Sequence, residues 1–206
     1  MTDLDKIMAA APVIPVLVIE RVEDAVPVAE ALVAGGLPVL EVTLRTSAAL
    51  DAIRAMKAVP GTIVGAGTVL NPAQLDAAVE AGSEFVVSPG LTESLGRAAA
   101  DSPVPLLPGV ASASDIMRAL DLGFTRLKFF PAAASGGIPA LKGFSSVFGQ
   151  VRFCPTGGIT LEMAADWLAL PSVACVGSSW IVPAGPVDTG RIRERARHAA
   201  SLRPNR

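Results

Sequence analysis

Repetition is the feature that most constrains what this chain can fold into. Eight short apolar runs recur along it: VIPVLVI (13–19), PVLEVTL (38–44), TIVGAGTV (62–69), EFVVSP (84–89), PLLPGV (105–110), RLKFFPA (126–132), VRFCPTGG (151–158) and VACVGSSW (173–180). Their starts lie about 20–27 residues apart, the length of one strand plus one helix. Helical patterns with their own start and stop signals fill the intervals. The segment 25–34 carries Pro27 in its first turn and ends at Gly35-Gly36, Ser47 can cap the helix that follows it, and Asn71 precedes Pro72 in a segment closed by Gly82. Ser112 or Ser114 can cap a helix stopped at Gly123, and Thr160 can cap the next.

Eight strands alternating with helices, under one composition regime from residue 1 to 206, predict a single α/β domain with a parallel sheet. Eight repeats fit a closed (β/α)8 barrel, with a short N-terminal helix before the first strand, better than an open doubly wound sheet. An open sheet binding a dinucleotide would need a glycine-rich turn after the first strand, and VIPVLVIERVEDA has no glycine. At 206 residues the chain is short beside the roughly 250 of a typical barrel, so its loops must be brief. Hydrophobic residues make up 51% and aromatics only 4%; the apolar mass is therefore aliphatic, which suits buried parallel strands.

Composition also excludes several chemistries. His198 is the only histidine, so neither a zinc site nor a serine–histidine dyad can readily be assembled. Cys154 and Cys175 are the only cysteines and lack a CxxC partner; they read as two small buried hydrophobes in a reducing cytoplasm. A net charge of -2, with no basic tract outside the last helical segment, argues against nucleic acid. The N-terminal apolar stretch follows acids, is broken by Pro12 and Pro15, and ends at Glu20, which suits neither a signal peptide nor a membrane span. What chemistry there is must rest on lysine, arginine, carboxylates, hydroxyls or backbone amides, without a metal or cofactor.

Polar residues inside apolar strands are then the informative ones. Lys128 is flanked by Leu127, Phe129 and Phe130. A lysine there loses hydration, which favours the neutral amine that can attack a carbonyl; a lysine at a strand end can also snorkel to water. In 39–45, period-two geometry puts Glu41, Thr43 and Arg45 on one face and Leu40, Val42 and Leu44 on the other. The apolar face must meet the helices, so the polar face looks inward. Glu41 is thereby a candidate proton carrier and Arg45 a candidate carboxylate clamp, with a structural Glu41–Arg45 ion pair as the alternative. Thr68 follows Gly65 and Gly67, and Pro89 follows Ser88; each can be a turn device or part of a site. The ends Thr156-Gly157-Gly158 and Gly177-Ser178-Ser179-Trp180 match the two loops with which barrels often bind phosphate, although tight turns would look the same. Glu20 is a second acid or a helix-start residue, Gly136-Gly137 reads as a mobile loop, Lys142 as a surface charge, and RIRERARHAA (191–200) as a solvated amphipathic helix.

Taken in order, EVTLRT (41–46), VGAGTVLNP (64–72), VVSPGLTE (86–93), PGV (108–110), KFFPA (128–132), VRFCPTGGI (151–159) and SW (179–180) resemble the 2-keto-3-deoxy-6-phosphogluconate (KDPG) aldolase family, which overlaps with the 4-hydroxy-2-oxoglutarate (KHG) aldolases. The resemblance covers nearly the whole chain. It implies a class I aldolase of Entner–Doudoroff type sugar-acid catabolism that cleaves a phosphorylated keto acid to pyruvate and glyceraldehyde 3-phosphate. Lys128 would form the Schiff base and Glu41 would act as general acid and base. Arg45, Thr68 and Pro89 would hold the pyruvate end, and Phe130 would pack on it. Thr156 would contact the C4 region, and Gly157, Gly158 and Ser179 would bind the distal phosphate. It also implies a homotrimer. Ser178 departs from the pattern, since many relatives have glycine there, and adds a side chain near the phosphate end. Rival readings are cleavage of 4-hydroxy-2-oxoglutarate or of 2-keto-3-deoxy-6-phosphogalactonate, a phosphosugar isomerase or epimerase, and a non-catalytic sugar-phosphate binder.

Overall fold

A computed structural model describes residues 3–202. A short helix α1 (Asp3–Ala10) leads into β1 (Val13–Leu17), a 3-10 turn (Val22–Asp24) and α2 (Ala25–Ala34). The alternation continues through β2 (Val39–Thr43), α3 (Ala49–Lys57), β3 (Ile63–Gly67), α4 (Pro72–Glu80), β4 (Phe85–Val87) and α5 (Glu93–Ala100). Two strand fragments follow, β5 (Leu106–Leu107) and β6 (Gly109–Val110), then α6 (Ala113–Asp121), β7 (Arg126–Phe129), α7 (Gly137–Val147), β8 (Arg152–Pro155), α8 (Leu161–Leu168), β9 (Val176–Ser178) and α9 (Thr189–Ser201).

All the strand ladders are parallel and form a curled α/β sheet. One sheet runs β5-β4-β3-β2-β1-β9 and the other β6-β7-β8. The predicted single strand at 105–110 is thus two fragments in different sheets. Pro108 lies between them and has no N–H to donate to a ladder, although its carbonyl accepts from the Lys128 amide at 2.8 Å.

Period-two alternation divides the strand side chains between two apolar clusters. Val13, Leu17, Leu40, Val42, Val86, Leu127, Phe129, Phe153 and Val176 join the helices in the larger one. Ile14, Val39, Phe85, Val87, Leu107, Cys154 and Cys175 form a second, and α1 adds Leu4, Ile7 and Met8 to it. The N-terminal helix therefore closes the inner cluster from the end where strands begin, and an Arg126–Asp5 ion pair fastens it to β7. The site is left at the opposite, C-terminal ends.

Several local expectations are corrected. Position Ala48, not Ser47, is the N-cap of α3, and no side chain bonds there. Ser112, not Ser114, caps α6, in a reciprocal box with Asp115. Thr160 stands at the N-cap of α8 but its hydroxyl makes no capping bond; it bonds the Glu162 carboxylate instead, which lowers that group's pKa. Gly136 and Gly137 are not a free loop: Gly136 is the left-handed N-cap (φ 98°) of α7. Asn71 does cap α4, accepting from the Gln74 amide at 2.9 Å. Helices α2, α4 and α6 stop where Gly36, Gly82 and Gly123 adopt positive φ. Segment 191–200 is amphipathic, with Ile192, Ala196 and Ala199 buried. Removing the α6 cap with Ser112→Ala is expected to lower unfolding free energy by about 1 kcal/mol in urea titration, with activity unchanged.

Candidate active site

Lys128 and Glu41 meet across the inner space. The Lys128 Nζ donates to Glu41 Oε1 at 3.0 Å, with side chains only 7% and 4% exposed. Register makes the meeting possible. Lys128 stands opposite Gly109 and Cys154 on its neighbouring strands, and Glu41 stands opposite Val16 and Gly65. Both side chains share the inward parity of their strands, while Leu127, Phe129, Leu40 and Val42 take the helix side. Glu41 therefore pairs with Lys128, not with Arg45, and the alternative of a Glu41–Arg45 ion pair falls away. Lys128 does not snorkel. Its ammonium also lies 5.2 Å from the centroid of the Phe130 ring, within cation–π range.

Gly67 gives the carboxylate its room. A Cβ at that position would come within 2.3 Å of Glu41 Oε1. Gly67→Ala is accordingly expected to push the carboxylate off Lys128 and lower turnover about 100-fold, the scale of a 1 Å misplacement, with the circular dichroism spectrum retained. Gly177 does the same for Thr156, whose Oγ1 would sit 2.3 Å from an added Cβ. The Thr156 hydroxyl donates to the Cys154 carbonyl at 3.3 Å and lies 3.8 Å from Cys154 Sγ. The fully buried Cys175 thiol is held well above the usual thiol range, by a side-chain hydrogen bond with Cys154 first and by burial second, so it stays protonated. Both cysteines are free.

A cavity of about 340 Å³ opens above the pair. It is lined by Glu41, Lys128, Arg45, Thr68, Pro89, Phe130, Thr156, Gly157, Gly158 and Ser179, so the ten residues to which the family resemblance gives a role face one space. Val16, Ile159, Gly177 and Ser178 complete the wall. Val16 was not singled out; its signal was its parity with Ile14 on β1. The polar groups are graded by depth. Glu41, Lys128 and Thr156 are buried, Thr68, Pro89, Phe130 and Gly157 are half-buried, and Arg45, Gly158 and Ser179 are exposed at the mouth. Thr68 holds a left-handed backbone (φ 61°), which a β-branched residue rarely adopts, a form of strain that concentrates at ligand-binding sites. Gly157 and Gly158 are also left-handed (φ 99° and 73°), and side chains there would meet the Phe130 ring and Ala133.

Glu20 lies outside this cavity. It borders a second hollow of about 550 Å³, which touches the first at Val16, Arg45 and Ser179. The lysine, the buried carboxylate and the glycine loop all belong to the smaller space. Lys142 is exposed on α7, as expected. Among the described residues, no three His, Cys, Asp or Glu side chains gather in a metal-binding group, and no helix is long and apolar enough to cross a membrane.

The fold and site describe an α/β protein whose parallel strands hold a lysine–carboxylate pair at the base of a cavity at their C-terminal ends. The chain belongs to the KDPG and KHG aldolase family, which it matches over residues 4–196. It is 61% identical to the 2-dehydro-3-deoxy-phosphogluconate aldolase of Zymomonas mobilis, over 98% of each chain, and 54% identical to the KHG/KDPG aldolase of Escherichia coli, over 96% of this chain and 95% of that one. A crystal structure of the Zymomonas mobilis ZM4 2-keto-3-deoxy-6-phosphogluconate aldolase with 3-phosphoglycerate superposes with a TM-score of 0.97 at 60% identity, covering 98% of this chain and 97% of that one. The KDPG aldolase of Legionella pneumophila, with pyruvate captured as a covalent carbinolamine intermediate, superposes with a TM-score of 0.94 at 50% identity, covering 97% of this chain and 99% of that one. Likeness to a phosphoribosyl anthranilate isomerase from Thermus thermophilus, at 21% identity and a TM-score of 0.65, is one of fold alone.

Proposed function

We propose that this protein is a class I aldolase, a carbon–carbon lyase that cleaves 2-keto-3-deoxy-6-phosphogluconate to pyruvate and glyceraldehyde 3-phosphate. The observation that carries the reading is the Lys128 amine 3.0 Å from the Glu41 carboxylate inside a cavity walled otherwise by hydroxyls, glycines and apolar side chains, with Arg45 at its mouth.

At that distance a proton passes from Lys128 to Glu41, freeing the amine for attack on the C2 ketone. Glu41 then returns the proton to the carbinolamine hydroxyl, which leaves as water, and the iminium forms on Lys128. Glu41 next takes the C4 hydroxyl proton. The C4–O electrons form the aldehyde carbonyl as the C3–C4 bond breaks, and the bonding pair flows into the iminium, giving the enamine of pyruvate. The enamine is protonated at C3 and water hydrolyses the imine. Burial matters because the cation formed on Lys128 attracts electrons more strongly where water is excluded.

Around this pair, Arg45 at the mouth offers a guanidinium for the pyruvate carboxylate, with Thr68 and the Pro89 backbone beside it. Phe130 packs against the pyruvate portion. Thr156 faces the C4 region. Gly157, Gly158 and Ser179 supply backbone N–H groups and a hydroxyl to the terminal phosphate, beside the start of α8. No metal or cofactor is needed by this chemistry.

The reading includes a single domain over residues 1–206, of which residues 1, 2 and 203–206 lie outside the described structure, and a closed (β/α)8 barrel. Support for closure comes from isolated parallel bridges Phe153–Val173 and Thr156–Gly177, which span β8 and β9, and from Pro108, which links the two sheets through one continuous chain. A homotrimer in the cytoplasm also belongs to it, the latter supported by two unpaired buried cysteines. A second substrate is favoured by the family and by the Escherichia coli relative, whose name joins KHG to KDPG: 4-hydroxy-2-oxoglutarate, which shares the pyruvate end and lacks the phosphate.

The test is turnover. Purified protein supplied with 2-keto-3-deoxy-6-phosphogluconate should release pyruvate, read through lactate dehydrogenase, and glyceraldehyde 3-phosphate, read through its own dehydrogenase, in equal amounts. Absence of either product contradicts the proposal.

A further inference from the structure

Ser178 sits between the two halves of the loop cradle at the cavity's outer end. It is buried to 4% exposure, and its hydroxyl donates to the Ile159 carbonyl at 3.1 Å. Its hydroxyl proton is therefore committed to the protein, although the residue also forms part of the cavity wall. Ile159 directly follows Gly157-Gly158, and Ser178 directly precedes Ser179, so this one bond ties the glycine loop after β8 to the serine after β9. On its other flank the glycine loop is already held, because Ala132 and Ala133 amides donate to the Thr156 and Gly157 carbonyls at 2.8 and 3.0 Å. The far side of Ser179 is held too: Arg195 on α9 donates to the Trp180 carbonyl at 3.0 Å. Between the two halves, the Thr156–Gly177 bridge joins the strand ends, and the Ser178–Ile159 bond is the tie that continues past it toward the mouth. Gly157 and Gly158 have no side chains of their own to brace the loop.

We infer that Ser178 is a positioning residue that sets the width of the anion cradle, and through it the preference for phosphorylated over unphosphorylated substrates. This rests on the reading of that cradle as the phosphate end. Lys128 and Glu41 are fixed to each other at 3.0 Å and take no part in the Ser178–Ile159 bond, which lies beyond the end of the β7–β8 ladder.

The experiment is steady-state kinetics of Ser178→Ala and Ser178→Gly on 2-keto-3-deoxy-6-phosphogluconate and on 4-hydroxy-2-oxoglutarate, alongside the rate of pyruvate trapping by borohydride. Loss of one buried hydrogen bond should raise KM for the phosphorylated substrate about three- to ten-fold in both variants. The kcat on that substrate, the kcat/KM on the unphosphorylated one and the trapping rate should hold. A KM that does not move, or an equal fall on both substrates, overturns the inference and leaves Ser178 a merely structural residue. Two variants guard against a folding defect in one, checked by thermal melting. Failure of the wild-type protein to cleave the phosphorylated substrate overturns the functional reading and this inference with it, and is seen before any variant is made.

Discussion

Lys128→Ala is expected to abolish aldol cleavage, lowering kcat/KM by roughly 10⁴-fold or more, the scale on which enzymes lose activity with their covalent nucleophile. Neither water nor a neighbouring side chain can replace the amine, because the electron sink is the iminium itself. Binding of an anionic ligand at the mouth should survive, since Arg45 and the Gly157-Gly158 loop are separate from the strand that carries Lys128. The substitution also has a stability signature. It leaves the Glu41 carboxylate 3% exposed and without its counter-charge, a situation that costs about 3–5 kcal/mol when one partner of a buried pair is removed. The double variant Lys128→Ala/Glu41→Gln should recover much of that loss while remaining inactive. Urea titration of the single and double variants reads the first effect and the coupled product assay the second. Full turnover by Lys128→Ala would remove the Schiff base from the mechanism.

Glu41→Gln separates proton transfer from shape. Glutamine fills the space that Gly67 leaves and can still accept from the Lys128 amine, but it cannot carry a proton between the carbinolamine, the C4 hydroxyl and water. A fall in kcat of about 10²- to 10⁴-fold is expected, the usual contribution of a positioned general acid–base group. KM should change little, because the carboxylate is buried beneath the cavity and not among the groups at its mouth. Pyruvate should still be trapped on Lys128, more slowly. An unchanged rate would take the proton-carrying role away from Glu41.

Much of this site was legible in the sequence because parity in a strand is a strict rule. Once Leu40 and Val42 are assigned to the helices, Glu41 has nowhere to go but inward, and the same holds for Lys128 between Leu127 and Phe129. The partnership between them was not legible. Eighty-seven positions separate the two residues, and only the register of strands between β2 and β7 brings their tips together; the local pattern suggested Arg45, four residues away, as readily. Gly67 stood beside Thr68 in a stretch that read equally as a turn device or part of a site. The group that approaches it is the Glu41 carboxylate, a tertiary fact with no local trace.

The misreadings were at element ends. Ser47 was the better local candidate for the start of α3, and the fold nevertheless places Ala48, which has no capping side chain, at the N-cap. Gly136-Gly137 carried every mark of a mobile turn, yet a glycine free to take φ 98° also suits the sharp entry into α7. Ser178 shows the same limit at the site itself. As a sequence feature it was an extra side chain near the phosphate end; only the Ile159 carbonyl, 3.1 Å away, shows which way that side chain turns.

The central claim is that Lys128 becomes covalently bonded to pyruvate, and borohydride reduction tests it most directly. The wild-type protein is incubated with pyruvate and sodium borohydride, then its intact mass and peptides are measured. The account predicts one pyruvate-derived adduct per chain, located on the peptide containing Lys128. A folded protein that gains no adduct, or gains it only on a surface lysine such as Lys142, would contradict it.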